Sequence, residues 1–138
     1  EIRYRGIGIA ERKWVFGSLW FDTRNKATLI WSEELKYWVR VDPATVGQYT
    51  GLKDEHGKEI YEGDVIRSPL SEDKTRPHRI FYHTGNAAFM GALVDRKELC
   101  YLRLDQDWIY KFGKEVIGNI HDNPELIEKQ TAERHKTN

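Results

Sequence analysis

Three glycines, Gly51, Gly57 and Gly63, punctuate the stretch 47–67, GQYTGLKDEHGKEIYEGDVIR. Gly supplies the positive φ that lets a chain reverse, so Tyr49-Thr50-Gly51-Leu52 and Asp54-Glu55-His56-Gly57-Lys58 each read as a turn. Glu59-Ile60-Tyr61 is then a short extended piece, Glu62-Gly63-Asp64 a further turn, and Val65-Ile66-Arg67 the start of a strand. A tight Glu-Gly-Asp turn feeding an apolar strand recurs in small SH3-like barrels, because the acid bonds backbone N–H groups two residues on. The stretch dictates β architecture. Its apolar residues join an N-terminal β-rich lobe, residues 1–46, to a barrel-like lobe, residues 47–138, within one domain.

The flanking chain agrees. Residues 2–21 are largely β-branched or aromatic, interrupted by Gly6, Gly8 and Gly17 and by the polar cluster Glu11-Arg12-Lys13, which predicts strand, turn and strand. In Trp14-Val15-Phe16-Gly17-Ser18-Leu19-Trp20-Phe21 both alternating sets are apolar, as in a strand covered on both faces. Gly17 marks a bulge or a close backbone approach. After the polar turn 22–26, Thr28-Leu29-Ile30-Trp31 resumes the meander. Ser32-Glu33-Glu34-Leu35 has the composition of one helical turn, Tyr37 to Val41 that of a strand, and Asp42-Pro43 that of a tight turn or short helix.

Residues 68–77 form a polar loop. Residues 78–83 and 87–94 are strand-like and joined by the hairpin turn Thr84-Gly85-Asn86. Residues 98–104, Trp108-Ile109-Tyr110 and residues 115–120 complete the β-rich body. Only the end reads as helix, with Asn123 as cap, Pro124 at the first position, and Arg134, His135 and Lys136 at the far end to suit the helix dipole.

The 138-residue chain holds 22 basic and 22 acidic residues, so no global positive field draws it onto nucleic acid phosphates. One cysteine, Cys100, cannot form an internal disulfide and reads as a core thiol in a reducing compartment, the cytoplasm. No apolar run reaches the roughly 18 residues of a membrane span. An initiator Met is expected before Glu1.

Asp54, Glu55, Glu59, Glu62 and Asp64 could ligate a divalent cation, but acids beside turn glycines ordinarily cap backbone N–H groups, and Lys53 and Lys58 neutralise them. His121, Asp122 and Glu125 read in the same way as a helix start. P-loop, GxSxG, dinucleotide and zinc-type patterns are absent from the sequence, so no catalytic, cofactor or metal residues are assigned. The local basic cluster Lys74, Arg76, His78 and Arg79, beside Phe81 and Tyr82, is the candidate contact for nucleic acid or a partner, with Tyr82 included for stacking. Five tryptophans exceed what one small β core readily hides. A second sheet of the same chain or a symmetric homo-oligomer must cover them.

The chain resembles the YopX family, small proteins encoded mainly by bacteriophages and prophages. The resemblance rests on residues 41–54 (VDPATVGQYTGLKD), 57–64 (GKEIYEGD) and 115–126 (EVIGNIHDNPEL), with Arg3-Tyr4-Arg5-Gly6 and Trp14-Val15-Phe16-Gly17-Ser18-Leu19 similar to the family's opening block. Residues 68–114 match least. The resemblance implies an all-β, self-associating domain of phage origin, with no assigned activity and no catalytic residue to transfer.

The sequence thus predicts a mainly β protein: an SH3-like, partly open barrel body, an N-terminal β-rich lobe and a short C-terminal α-helix. Its expected role is that of a non-enzymatic phage accessory protein in the bacterial cytoplasm, acting by homo-oligomer assembly or association with a host or phage protein. Nucleic acid binding through residues 74–79 is the alternative.

Overall fold

The computed structural model describes residues 1–68, 77–94 and 101–127. The chain divides into two compact units, Glu1–Gly51 and Leu52–Asn138.

In the first unit, polar side chains at each turn set up a meander of β1 (Tyr4–Ile7), β2 (Trp14–Asp22), β3 (Ala27–Ser32) and β4 (Trp38–Arg40). Asp22 ends β2 because its carboxylate accepts from the Arg24 N–H at 3.0 Å and the Asn25 side-chain amide at 2.8 Å. Ser32 Oγ likewise accepts from the Leu35 N–H at 2.9 Å, giving a turn with Lys36 at φ 62° in place of the expected helical turn. Asp42 caps a 3-10 turn, Pro43–Thr45, that leads to β5 (Gly47–Lys53). Thr45 Oγ1 then accepts from the Ile7 N–H at 2.8 Å and ties that turn to β1. The strands run in the order β4-β3-β2-β1-β5, all antiparallel. Val15, Ile30 and Val41 form the buried core, with Tyr4, Val39 and Val46 packed on it.

The second unit continues through β6 (Glu59–Tyr61) into β7 (Asp64–Arg67), β8 (His78–His83), β9 (Ala88–Leu93), β10 (Tyr101–Arg103), the helix α1 (Gln106–Lys111) and β11 (Glu115–Asn119). Five of these strands make an antiparallel sheet in the order β10-β9-β8-β7-β11. The expected hairpin turn at Thr84–Asn86 joins β8 to β9, with Ala87 in the left-handed region closing it. Ile60, Ile66, Ile80, Leu104 and Ile109 form the core beneath the sheet.

Three expectations change. The expected SH3-like, partly open barrel gives way to antiparallel sheets that do not close: among the described residues β10 and β11 end their sheet without pairing to each other, and barrel closure needs that last ladder. Trp108-Ile109-Tyr110 is helical, because Asp105 accepts from the Trp108 N–H at 2.8 Å and caps α1, while only Ile109 is buried. The C-terminal helix is described only at residues 125–127, and Asn123 does not turn its oxygen forward as a side-chain cap. Its Oδ1 accepts from the Asn119 N–H at 3.2 Å instead. Cys100 lies outside the described residues. Among the described residues no helix is long and apolar enough to cross a membrane.

Candidate functional site: the tryptophan face of the first unit

Side chains alternate across a strand, and residues opposite each other in a ladder share a face. In β2 this places Trp14, Phe16, Ser18 and Trp20 together. Ser18 pairs with Trp31 and Trp20 with Leu29 on β3, and β4 adds Trp38 opposite Trp31 and Arg40 opposite Leu29. Four of the chain's five tryptophans therefore occupy one face of one sheet. The opposite face carries Val15, Ile30 and Val39, and it is this aliphatic face that lies on the core.

The tryptophans pack on one another. The Trp20 and Trp38 ring centroids are 5.4 Å apart and those of Trp31 and Trp38 are 5.6 Å apart, with interplanar angles of 58° and 72°. Such tilted and edge-to-face pairs stabilise the cluster by about 0.5–1.5 kcal/mol beyond their buried area. The rings also hold a relief that is not flat, so the cluster suits packing against a shaped surface rather than stacking on one plane. Its outer part is open to solvent, with Phe16 at 42%, Trp20 at 47% and Trp38 at 41% exposure. At the other end Trp14 is half-buried under the Arg5 guanidinium, 4.5 Å from its ring centroid, and Arg5 is buried.

The end of the β2–β3 hairpin is exposed on both faces, since Leu19 and Phe21 on the core-side set are also exposed. Of the stretch Trp14 to Phe21, expected to be covered on both faces, only the Val15 and Gly17 side is buried; the other side is open at Phe16, and beyond Gly17 both are exposed because the aliphatic core ends there. At the tip the Asn25 side-chain amide holds the Asp22 carboxyl below its usual range.

In the second unit the predicted contact residues separate. Lys74 and Arg76 lie outside the described residues. His78 and Tyr82 share a face with the core residue Ile80; His78 is buried with its ring edge-on to Trp108 at 6.0 Å, and Tyr82 is exposed and edge-on to Phe89 at 5.3 Å. Arg79, one residue out of phase, stands on the opposite face, its guanidinium 5.7 Å from the Phe81 ring centroid. Strand alternation divides the cluster, because His78 and Arg79 are adjacent residues of β8.

The acidic stretch is architectural. Asp54 is buried and accepts from the His56 and Lys58 N–H groups at 2.8 and 2.9 Å and from the Val116 N–H at 3.1 Å. Asp64 is buried and accepts from the Tyr61 N–H at 2.8 Å, so the acid of the Glu-Gly-Asp turn bonds back to the end of β6. His121 and Asp122 are part of a second turn, in which Asn119 Oδ1 accepts from their N–H groups at 2.9 and 2.8 Å, and Glu125 begins the helical segment that follows. Among the described residues no three metal-ligating side chains converge. A cavity of about 250 Å³ lined by Arg79, Leu93, Val94, Ile120 and Ile127 falls below the usual size of small-molecule sites.

An antiparallel β protein with an exposed aromatic sheet face, and no gathered catalytic set among its described residues, is the class of molecule this geometry defines. The family model described as YopX protein matches residues 3–128, and the chain belongs to the YopX family. A solved structure, the crystal structure of protein EF1440 from Enterococcus faecalis, is similar, with 27% identity and a TM-score of 0.61 over 92% of this chain and 98% of that one. No curated protein matches.

Proposed function

We propose that this chain is a non-enzymatic accessory protein of phage or prophage origin that acts by self-association, a second copy covering the tryptophan face of the first unit. The carrying observation is the exposed set Phe16, Trp20 and Trp38 on one sheet face, continued by Leu19 and Phe21 around the hairpin end. Monomeric soluble proteins rarely leave a contiguous apolar patch of this kind uncovered, and buried aromatic anchors are what dominate interface energies. The charged neighbours Asp22 and Arg40 stand at the margin of the patch, as in an interface with an apolar centre and polar rim. A second copy offers an identical apolar surface, which symmetric dimers use on both sides. The bacterial cytoplasm, where the single cysteine stays reduced, is the setting for this reading.

Light scattering at micromolar protein tests it. The expected mass is a multiple of 16.3 kDa, and Trp20→Lys with Trp38→Lys is expected to yield a folded monomer. A monomeric mass for the unmodified chain overturns the reading.

A further inference from the structure

The face of the second unit's sheet opposite Ile66 and Ile80, buried at Val65 and Ala92 and half-open toward Phe81 and His83, gathers residues that the sequence scatters. Alternation along β8 aligns Arg79, Phe81 and His83, and the β8–β9 register sets Met90 opposite Phe81. The β9–β10 register then sets Arg103 opposite Met90, while β7 contributes Arg67, on the same side as Val65, which pairs with Arg79. Phe81, His83 and Met90 are half-buried, with Met90 Sδ accepting from the Asn86 side-chain amide at 3.5 Å and His83 Nδ1 from the Asn86 N–H at 3.0 Å, and Arg103 is exposed. Arg79 lies over the Phe81 ring, and the Phe81 and His83 centroids are 6.0 Å apart. Among the described residues of β7 to β10, this face carries three arginines and a histidine and no carboxylate. On β11 the described residue Glu115 stands opposite Arg67, and its carboxylate already meets His56 at 3.0 Å.

We propose that this face binds single-stranded nucleic acid, with Arg79 and Arg103 on phosphates and Phe81 and His83 stacking on bases. The chemistry is specific in kind. Arginines flanking a strip of aromatic surface complement a polymer that alternates anionic phosphates with flat π-faces, and a half-open ring on a sheet reaches bases only when they are unpaired. Because the whole chain is neutral, affinity rests on these few contacts alone and is modest and strongly dependent on salt. This face and the tryptophan face share no residue, so either proposal stands without the other.

Fluorescence anisotropy of labelled 20-nucleotide single strands of DNA and RNA, and of the matching duplex, tests the proposal on the full chain. With the two arginines neutralising about two phosphates, a tenfold rise in salt is expected to weaken single-strand binding about 25-fold. Phe81→Leu keeps an apolar side chain and is expected to weaken binding about five- to hundredfold through lost stacking. Arg103→Glu, on an exposed edge strand, is expected to weaken it at least about tenfold and to flatten the salt dependence. Trp20→Lys is expected to leave it unchanged. Absence of single-strand binding at low salt, equal binding of the duplex, preference for an acidic peptide such as polyglutamate, or unchanged binding in Arg103→Glu and Phe81→Leu each overturns the proposal.

Discussion

The Asp54 carboxylate accepts a hydrogen bond from the Val116 N–H at 3.1 Å, 62 residues further along the chain. Its other oxygen holds the His56 and Lys58 N–H groups, so one buried acid closes a local turn and pins it to β11. The Glu55 N–H adds a bond to the Lys114 carbonyl at 3.0 Å beside it.

Asp54→Ala strands three N–H groups at once. Each bond to a charged acceptor contributes about 1.5–3 kcal/mol, and because the three N–H groups are only part-buried and water replaces some of these bonds, a loss of about 3–5 kcal/mol is expected in chemical denaturation. Asp54→Asn retains one side-chain oxygen and is expected to cost about 2 kcal/mol. Equal, small losses for both variants would contradict this role.

The glycines divide by cause. At Gly17 an added Cβ would fall inside the carbonyl oxygen of Trp31, a backbone atom that cannot rotate away, so Gly17→Ala is expected to cost about 4 kcal/mol or more or to prevent folding. At Gly57 nothing lies within 4 Å and only the φ of 84° opposes a side chain, so Gly57→Ala is expected to cost about 1–2 kcal/mol. Melting temperatures of the two variants side by side check the order.

Acidity has a local reporter. The hydrogen bond that the His56 ring donates to the Glu115 carboxylate raises the His56 pKa above 6.5, with lesser help from the charges of Asp54, Glu115 and Glu55. The protonated ring is favoured in the folded state, so this pair's contribution is fully present below pH 6.5 and is lost as the pH rises through the folded value. An NMR titration is expected to show the His56 pKa falling toward its ordinary value in Glu115→Gln. The pair is exposed to solvent, so the accompanying change in stability is expected to be small.

Helix α1 has six residues and depends on its cap. Asp105→Ala removes the acceptor of the Trp108 N–H and is expected to cost about 1 kcal/mol, while Asp105→Asn or Asp105→Ser recovers most of it, as read by denaturation.

Local chemistry was legible before any tertiary structure. Asp42-Pro43, Asp22 to Asn25 and Thr84-Gly85-Asn86 form turns because the groups that make each bond lie within a few residues of one another. The strand content follows from β-branched and aromatic runs, the family from the motifs around Gly47 to Asp64, and the acids of that stretch hold backbone amides as turn acids do. At Trp108-Ile109-Tyr110 apolar composition suggested strand, and the cap three residues before Trp108 decided for helix.

What the tertiary structure alone decided is which face each strand turns inward and which strands adjoin. Both alternating sets of β2 are apolar, so the sequence leaves the choice open, and the packing of Val15 against Ile30 and Val41 settles it and turns four tryptophans outward. Arg103 stands beside Met90 and Phe81, and Asp54 meets Val116, only through pairing between strands distant in the chain. Composition records how much apolar and charged surface a chain owns. Long-range hydrogen-bonded register determines where that surface comes together.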